Sequence, residues 1–401
     1  MGIIRNLIGI LVILALAALL SYDRSKITSK IKNIAMMFVA MLVLTFICLR
    51  TSAGITALEG ISNFFSWLIA QAQGGISFVF GGIVIEEGAS VFFFNVLLPL
   101  VFISALIGIL NYIKVLPFIM KWVGKGINFI TGMGEVESQF AISTAVLGNT
   151  SAFISIKEII QGMDPRSLFT ICLSGMSAVG ASTLAAYMQM IPGEYVVVAV
   201  FLNIFAALVI TSIMNPYEAE EVETGEEFEL LEESAEDKGN FFDMLGSYIT
   251  DGFNLAIIIA AMVIGFVSLI TFLNSIVEGI FGITFTETMG YVFSPLAFII
   301  GIPSEDIVKA GSLMATKLLT NEFVAMGEFQ SLLGGASAKT QAMVATYLVS
   351  FSNFGTMGIT LGAIKGISEK QSKVLSQSLV KVLLGSILSS LLVASVVGLF
   401  F

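Results

Sequence analysis

The chain has 401 residues, 56% of them hydrophobic and only 12% charged, with 19 Lys and Arg against 29 Asp and Glu, two Cys and no His. A charged fraction about half that of soluble domains leaves too little polar side chain to cover a water-facing surface, so the composition predicts an all-α polytopic membrane protein. The lack of His excludes His-ligated metal sites, Ser-His-Asp and Cys-His catalysis, and any imidazole pH sensor.

Taken in chain order, uncharged runs long enough to cross a hydrocarbon core predict eight transmembrane helices: Leu7–Tyr22, Ile34–Leu49, Gly88–Ile113, Ser167–Gly193, Tyr195–Pro216, Gly252–Val277, Gln341–Ile364 and Val382–Phe401. The first resembles a secretory signal, with Arg5 ahead of its apolar stretch. A retained span is the better reading, because no soluble domain follows for export. Between the second and third spans, Ile55–Gln73 sets Leu58, Ile61, Phe65 and Leu68 among Glu59, Asn63 and Gln71, which predicts an interfacial helix. Cys48 and Cys172 lie in separate apolar runs and read as small buried hydrophobes. The net charge of −10 is local, since eleven acids and one Lys stand between Glu218 and Lys238. Such a self-repelling block reads as a solvated linker, and the acidic balance points to no particular ligand. With no Walker A pattern, nothing points to ATP as the energy source.

Basic clusters at Arg24–Lys32, at Lys114, Lys121 and Lys125, at Lys157 and Arg166, and at Lys365, Lys370 and Lys373 predict cytoplasmic loops, leaving both termini outside. That count closes only if Lys114–Arg166 enters and leaves from the inside and Glu278–Lys339 from the outside. Both segments are polar. The first carries Gly134-Glu135-Val136-Glu137-Ser138 and, further on, Gly148-Asn149-Thr150-Ser151. The second carries Pro303-Ser304-Glu305-Asp306 and then Thr320-Asn321-Glu322-Phe323. Each predicts a re-entrant helical hairpin with a polar tip, tolerable where protein or a water-filled cavity surrounds it. After each comes a span broken by small and polar residues, Ser174–Thr183 in the first case and Ser350–Gly358 in the second. Hairpin, broken helix and straight helix, repeated from the opposite face, form an inverted repeat, which is the pattern of a secondary transporter with its substrate between the halves.

The blocks Leu98-Pro99-Leu100-Val101-Phe102-Ile103-Ser104-Ala105-Leu106-Ile107-Gly108, Ser294-Pro295-Leu296-Ala297-Phe298, Asn321-Glu322-Phe323-Val324-Ala325 and Ser350-Phe351-Ser352-Asn353-Phe354, in this order, resemble the concentrative nucleoside transporter family in its bacterial branch, over essentially the whole chain. The resemblance implies a homotrimer in the cell membrane in which a scaffold holds three mobile transport domains. Each would import a nucleoside by an elevator-type motion coupled to sodium or protons, with no cofactor and no nucleic-acid partner. It implies ribose ligands at Glu322, Asn353 and Thr356 and an aromatic pocket wall at Phe351. The first tip, which in the family reads Gly, Gln, Ser or Thr, Glu, here reads Gly148, Asn149, Thr150, Ser151; Thr183 completes the substrate set. Losing the tip carboxylate puts the usual pyrimidine preference in doubt and makes a purine or modified nucleoside plausible.

At the family's sodium site this chain offers Thr144, Leu147 and Ala178, with one side-chain ligand fewer. Proton coupling is therefore favoured over sodium, with Glu322 as carrier, because desolvation penalises the charged form of a carboxylate. The expected division is 1–113 (first spans, interfacial helix, scaffold helix), 114–216 (first hairpin, broken helix, next span), 217–240 (acidic cytoplasmic linker), 241–287 (scaffold helix) and 288–401 (second hairpin, broken helix, last span).

Blander readings stand beside these. For Glu322 the alternative is a structural pairing with Lys317; Asn353, Thr356, Asn149 and Thr150 are also residues that satisfy unwound backbone and turns. Glu135, Glu137, Glu305 and Asp306 read as acids stabilising helix N-termini. A channel with a polar filter and a non-transporting nucleoside sensor are the rival functions. An intramembrane enzyme finds no catalytic pair at the tips.

Overall fold

A computed structural model describes residues 2–83, 91–131, 133–217 and 240–401. The acidic block Glu218–Lys238 and the start of the Gly88–Ile113 run lie outside the described residues. All regular structure described is helical: α1 Gly2–Leu19, α2 Ile27–Arg50, α3 Ser52–Phe80, α4 Pro99–Tyr112, α5 Val115–Thr131, α6 Glu135–Leu147, α7 Asn149–Ser155, α8 Lys157–Gly162, α9 Pro165–Ser177, α10 Ala181–Met188, α11 Gly193–Met214, α12 Phe241–Phe281, α13 Phe285–Ile300, α14 Ile307–Leu319, α15 Glu322–Leu333, α16 Ala338–Leu348, α17 Phe354–Ile367 and α18 Glu369–Gly398. Among the described residues six helical stretches are long and apolar enough to cross a membrane, and three shorter apolar helices accompany them.

The core is a pair of related units. In one, α6 and α7 form a hairpin beside the broken pair α9/α10 and the straight α11; in the other, α14 and α15 stand beside α16/α17 and α18. α18 packs on α9, α11 and α16, so the straight helices lock the units together. α11 is apolar on nearly every side, and both it and α18, whose buried face includes Ser386, Ser389, Ser390 and Ser395, are buried along most of their length. Outside this core α12 packs lengthwise on α4, and a Cβ at Gly252 would come within 2.8 Å of the Ser104 Cβ, so glycine sets the approach of the two helices. α1 packs along α18 and α13. The Asn6 amide, buried in α1, donates to Ile300 O at 2.7 Å, tying α1 to the end of α13. Cys48 and Cys172 are buried and unpaired.

Several expected boundaries move. The helix over the expected interfacial segment, α3, is 29 residues long, and of the expected stripe Leu58 and Leu68 are buried while Ile61 and Phe65 are half-buried. The expected hairpin region 114–166 opens with a further amphipathic helix, α5, which buries Met120, Gly124, Ile127 and Thr131 along one stripe. Its counterpart is α13, packed along α14 and likewise unread in the sequence. The expected boundary at 287/288 falls inside α13, whereas the chain turns at Gly282, where φ is +76°. The last helix starts at Glu369, well before Val382, because Lys370, Lys373 and Lys381 continue it beyond the apolar run.

The acids at the hairpin starts do more than face a helix dipole. Glu137 Oε1 accepts from Ser167 Oγ at 2.6 Å and from Tyr217 OH at 2.7 Å, joining α6 to the start of α9 and the end of α11. Asp306 accepts from Thr340 Oγ1 at 2.6 Å, joining the start of the second hairpin to the start of α16. The two units thus repeat one device, an acid bonded to a hydroxyl at the foot of the broken helix.

Candidate functional site

Each unit contributes a hairpin tip and a helix break, and the four meet. The first tip turns at Gly148, whose φ of +86° lies in the region that favours glycine. It lies against the first break, where a Cβ on Gly180 would come 2.6 Å from the Gly148 Cα. That break, Ala178–Gly180, follows a helix run ending in Gly, Ser and Ala and is bounded by Thr183, whose hydroxyl donates to Gly180 O at 2.9 Å. The second tip is capped by Asn321, whose side chain accepts from Val324 N at 3.0 Å, so that Glu322 opens α15. The second break runs from Val349 to Asn353, which caps α17 by accepting from Thr356 N at 2.8 Å.

Glu322 is 4% exposed, and each carboxylate oxygen has a donor: Tyr187 OH reaches Oε1 at 2.9 Å and Asn353 Nδ2 reaches Oε2 at 2.9 Å. Asn353 therefore uses its oxygen to cap α17 and its amide to hold Glu322. Asn149 makes the reciprocal link, donating through Nδ2 to Thr360 Oγ1 on α17 at 3.1 Å, while its Oδ1 is buried without a partner. Each tip is thus bonded to a broken helix of the other unit, Asn149 to α17 and Glu322 to Tyr187 of α10.

Around these groups lies a cavity of about 490 Å³, within the usual range for small-molecule sites. Asn149, Thr150, Ser151, Thr183, Glu322, Phe351, Asn353 and Thr356, the expected substrate set, all line it, as does Leu147. Thr144 and Ala178 are buried but are not part of its wall. The Thr144 hydroxyl donates to Ala141 O of its own helix at 2.9 Å, and Ala178 N is bonded to Ser174 O at 3.0 Å. The facing wall comes from α12, where Asp251, Asn254, Leu255, Ile258 and Met262 share one stripe, and from Ser104 and Ile107 of α4. A neighbouring groove of about 550 Å³ between α7, α8 and α17 shares Thr150 and Ile154 with the cavity and continues past Lys157 and Glu158.

Sequence reasoning missed Tyr187, Thr360 and the α12 stripe. Tyr187 follows the first break by two helical turns, a spacing no different from that of a packing aromatic. The α12 stripe was visible as Asp251 and Asn254 four and one residues ahead of Leu255 at helical spacing, but its partner was not. The alternative pairing of Glu322 with Lys317 is not the contact formed: Lys317 Nζ donates to Tyr347 O at 2.5 Å and to Ser350 Oγ at 2.6 Å.

Fold and site together define a class: a multi-pass helical membrane carrier whose inverted units meet at a buried polar cavity. Family models described as "Na+ dependent nucleoside transporter N-terminus", "Nucleoside recognition" and "Na+ dependent nucleoside transporter C-terminus" match residues 8–83, 93–193 and 195–398. The chain is 36% identical over 403 residues to the purine nucleoside transport protein NupG of Bacillus subtilis (strain 168), covering 100% of both. The structure of CNTnw in an inward-facing substrate-bound state superposes with a TM-score of 0.92 at 31% identity, covering 100% of this chain and 99% of that one. An outward-facing variant of CNTnw gives the same TM-score, 0.92, at 31% identity, covering 100% of this chain and 98% of that one. The chain belongs to the concentrative nucleoside transporter family, whose members found here are transporters rather than enzymes.

Proposed function

We propose that this protein imports nucleosides by cation symport, with the proton as coupling ion and elevator-type alternating access. The observation that carries the reading is the cavity between the two tips and the two breaks, where the Glu322 carboxylate, the Asn149 and Asn353 carboxamides and the hydroxyls of Thr150, Ser151, Thr183 and Thr356 gather beside the Phe351 ring. Glu322 and Asn353 offer acceptor and donor groups suited to ribose hydroxyls, Thr356 adds a hydroxyl, and Asn149, Thr150 and Ser151 face the base, with Thr183 behind them. Such paired polar groups discriminate strongly, since a ligand lacking the matching hydroxyl leaves them unpaired in a dry site. A purine nucleoside is the favoured substrate: Ser151 removes the tip carboxylate, and the relative from Bacillus subtilis is named for purine nucleosides.

In this reading α1, α2, α4, α9/α10, α11, α12, α16/α17 and α18 are the eight spans, α6/α7 and α14/α15 the re-entrant hairpins, and α3, α5 and α13 lie at the interface. Both termini are extracellular and the acidic linker is cytoplasmic. Residues 114–216 and 288–401 supply the mobile units, and α4 and α12 belong to the scaffold. α12 leaves an apolar face uncovered, including Ile257, Ile264, Val267 and Phe272, which supports a homotrimer around it.

Glu322 serves as proton carrier, supported by its burial and by Ala178 having no side-chain oxygen to give a sodium ion. Sodium coupling is the second reading, favoured by the description of the matching family models. The test is uptake of labelled adenosine and uridine into proteoliposomes under a proton gradient and, in parallel, a sodium gradient. Accumulation driven by protons alone supports the first reading, accumulation driven by sodium alone supports the second, and equilibration without accumulation under either would turn the case toward a channel.

A further inference from the structure

Lys317 occupies the last turn of α14, three residues before the tip at Thr320, and is 0% exposed. An ammonium stripped of water at that depth persists only where it is partnered. Its partners lie at the end of α16 and in the second break. Nζ donates to Tyr347 O at 2.5 Å and to Ser350 Oγ at 2.6 Å, and it lies 4.3 Å from the centroid of the Tyr347 ring. Tyr347 stands in the last turn of α16, whose carbonyls have no intrahelical donor and carry the negative end of the helix dipole. Asn203 of α11 donates to Val349 O, two carbonyls further on. From Ser350 the network runs to Ser390 Oγ of α18 at 2.7 Å, and Ser352, 3.2 Å from Ser390, donates to Met176 O just ahead of the first break at 3.3 Å.

The first unit has no such group. Three residues before its tip at Gly148 stands Ala145, and the last turn of α6 carries no basic residue. The two breaks are therefore held differently in a pair of units otherwise built alike.

We propose that Lys317 is a built-in cation that holds the second break open, satisfying the exposed end of α16 and so fixing Asn353, and through Asn353 the carboxylate of Glu322, for the ligand. It is a positioning residue, and the inference rests on the reading of this cavity as a nucleoside site.

The experiment is equilibrium binding of labelled adenosine to the purified full-length protein in detergent, where no gradient is needed, with melting temperature recorded alongside. Lys317→Met keeps the apolar stem and loses the charge; adenosine affinity should fall about tenfold or more, the scale of one lost charge-assisted bond. Lys317→Ala should be equally weak, and millimolar ethylammonium should restore its affinity and raise its melting temperature, whereas ethanol should do neither. A Lys317→Met protein binding within about twofold of wild type overturns the proposal. So does a Lys317→Ala protein whose melting temperature and affinity ignore ethylammonium. Should both variants fail to fold, Ser350→Ala decides, with affinity expected to drop about fivefold and unchanged affinity refuting the role. Wild-type protein that binds no nucleoside strikes the transport reading instead, and the melting response of Lys317→Ala to ethylammonium then tests the built-in cation by itself.

Discussion

Replacing Tyr187 by Phe removes one oxygen from the site and little else. The ring is fully buried and packs edge-on against Phe323 with centroids 5.1 Å apart, contacts that phenylalanine keeps. What is lost is the 2.9 Å bond from the phenol to Glu322 Oε1, leaving the carboxylate with Asn353 as its remaining side-chain donor. A hydrogen bond to a charged acceptor is worth about 1.5–3 kcal/mol. At about 1.4 kcal/mol per factor of ten, that corresponds to a KM for adenosine raised roughly 10- to 150-fold if the bond is what aims the carboxylate at the ribose. Initial-rate uptake into proteoliposomes over a range of adenosine concentrations measures it, with the melting temperature as a check that the hydrophobic contacts survive. A variant with normal melting temperature and a KM within about twofold of wild type would refute the claim that Tyr187 positions Glu322.

Three further outcomes follow from the same geometry. Glu322→Gln should abolish uptake while the mass measured by size-exclusion chromatography with light scattering stays that of wild type; wild-type rates would sink the role of the carboxylate. Ser151→Glu restores an acid at the first tip and should shift competition from adenosine toward uridine, so an unchanged inhibition profile would show that this tip does not select the base. Gly180→Ala places a Cβ 2.6 Å from the Gly148 Cα, backbone against backbone, and should cut uptake at least about tenfold by prising the first tip from the first break; uptake at wild-type rates would mean the two separate freely.

What was readable in the sequence was local. Runs of apolar residues without charges announce helices in a membrane, and clusters such as Ser174–Thr183 and Ser350–Gly358 announce breaks, because Gly, Ser and Asn disfavour helix by their own chemistry. The hairpin tips were legible for the same reason, and Glu322 stood out because an acid so far inside an apolar stretch is costly. The identities of the substrate-facing residues came from resemblance, not from periodicity. α5 went unread because Lys121 and Lys125 interrupt its apolar residues, and α13 because its uncharged run read as part of the second hairpin.

The tertiary structure alone decided the partners. Tyr187 meets Glu322 across 135 residues, Asn149 meets Thr360 across 211, and Glu137 meets Tyr217 across 80. No pattern along the chain reports such pairs, since a hydrogen bond depends on distance and direction in space. Lys317 makes the point most plainly. In sequence its nearest opposite charge is Glu322, five residues on, yet the fold gives its ammonium to the carbonyl and hydroxyl of a broken helix thirty residues away. Sequence determined that a charge had to be buried there; only the packing of α14 against α16 decided what would hold it.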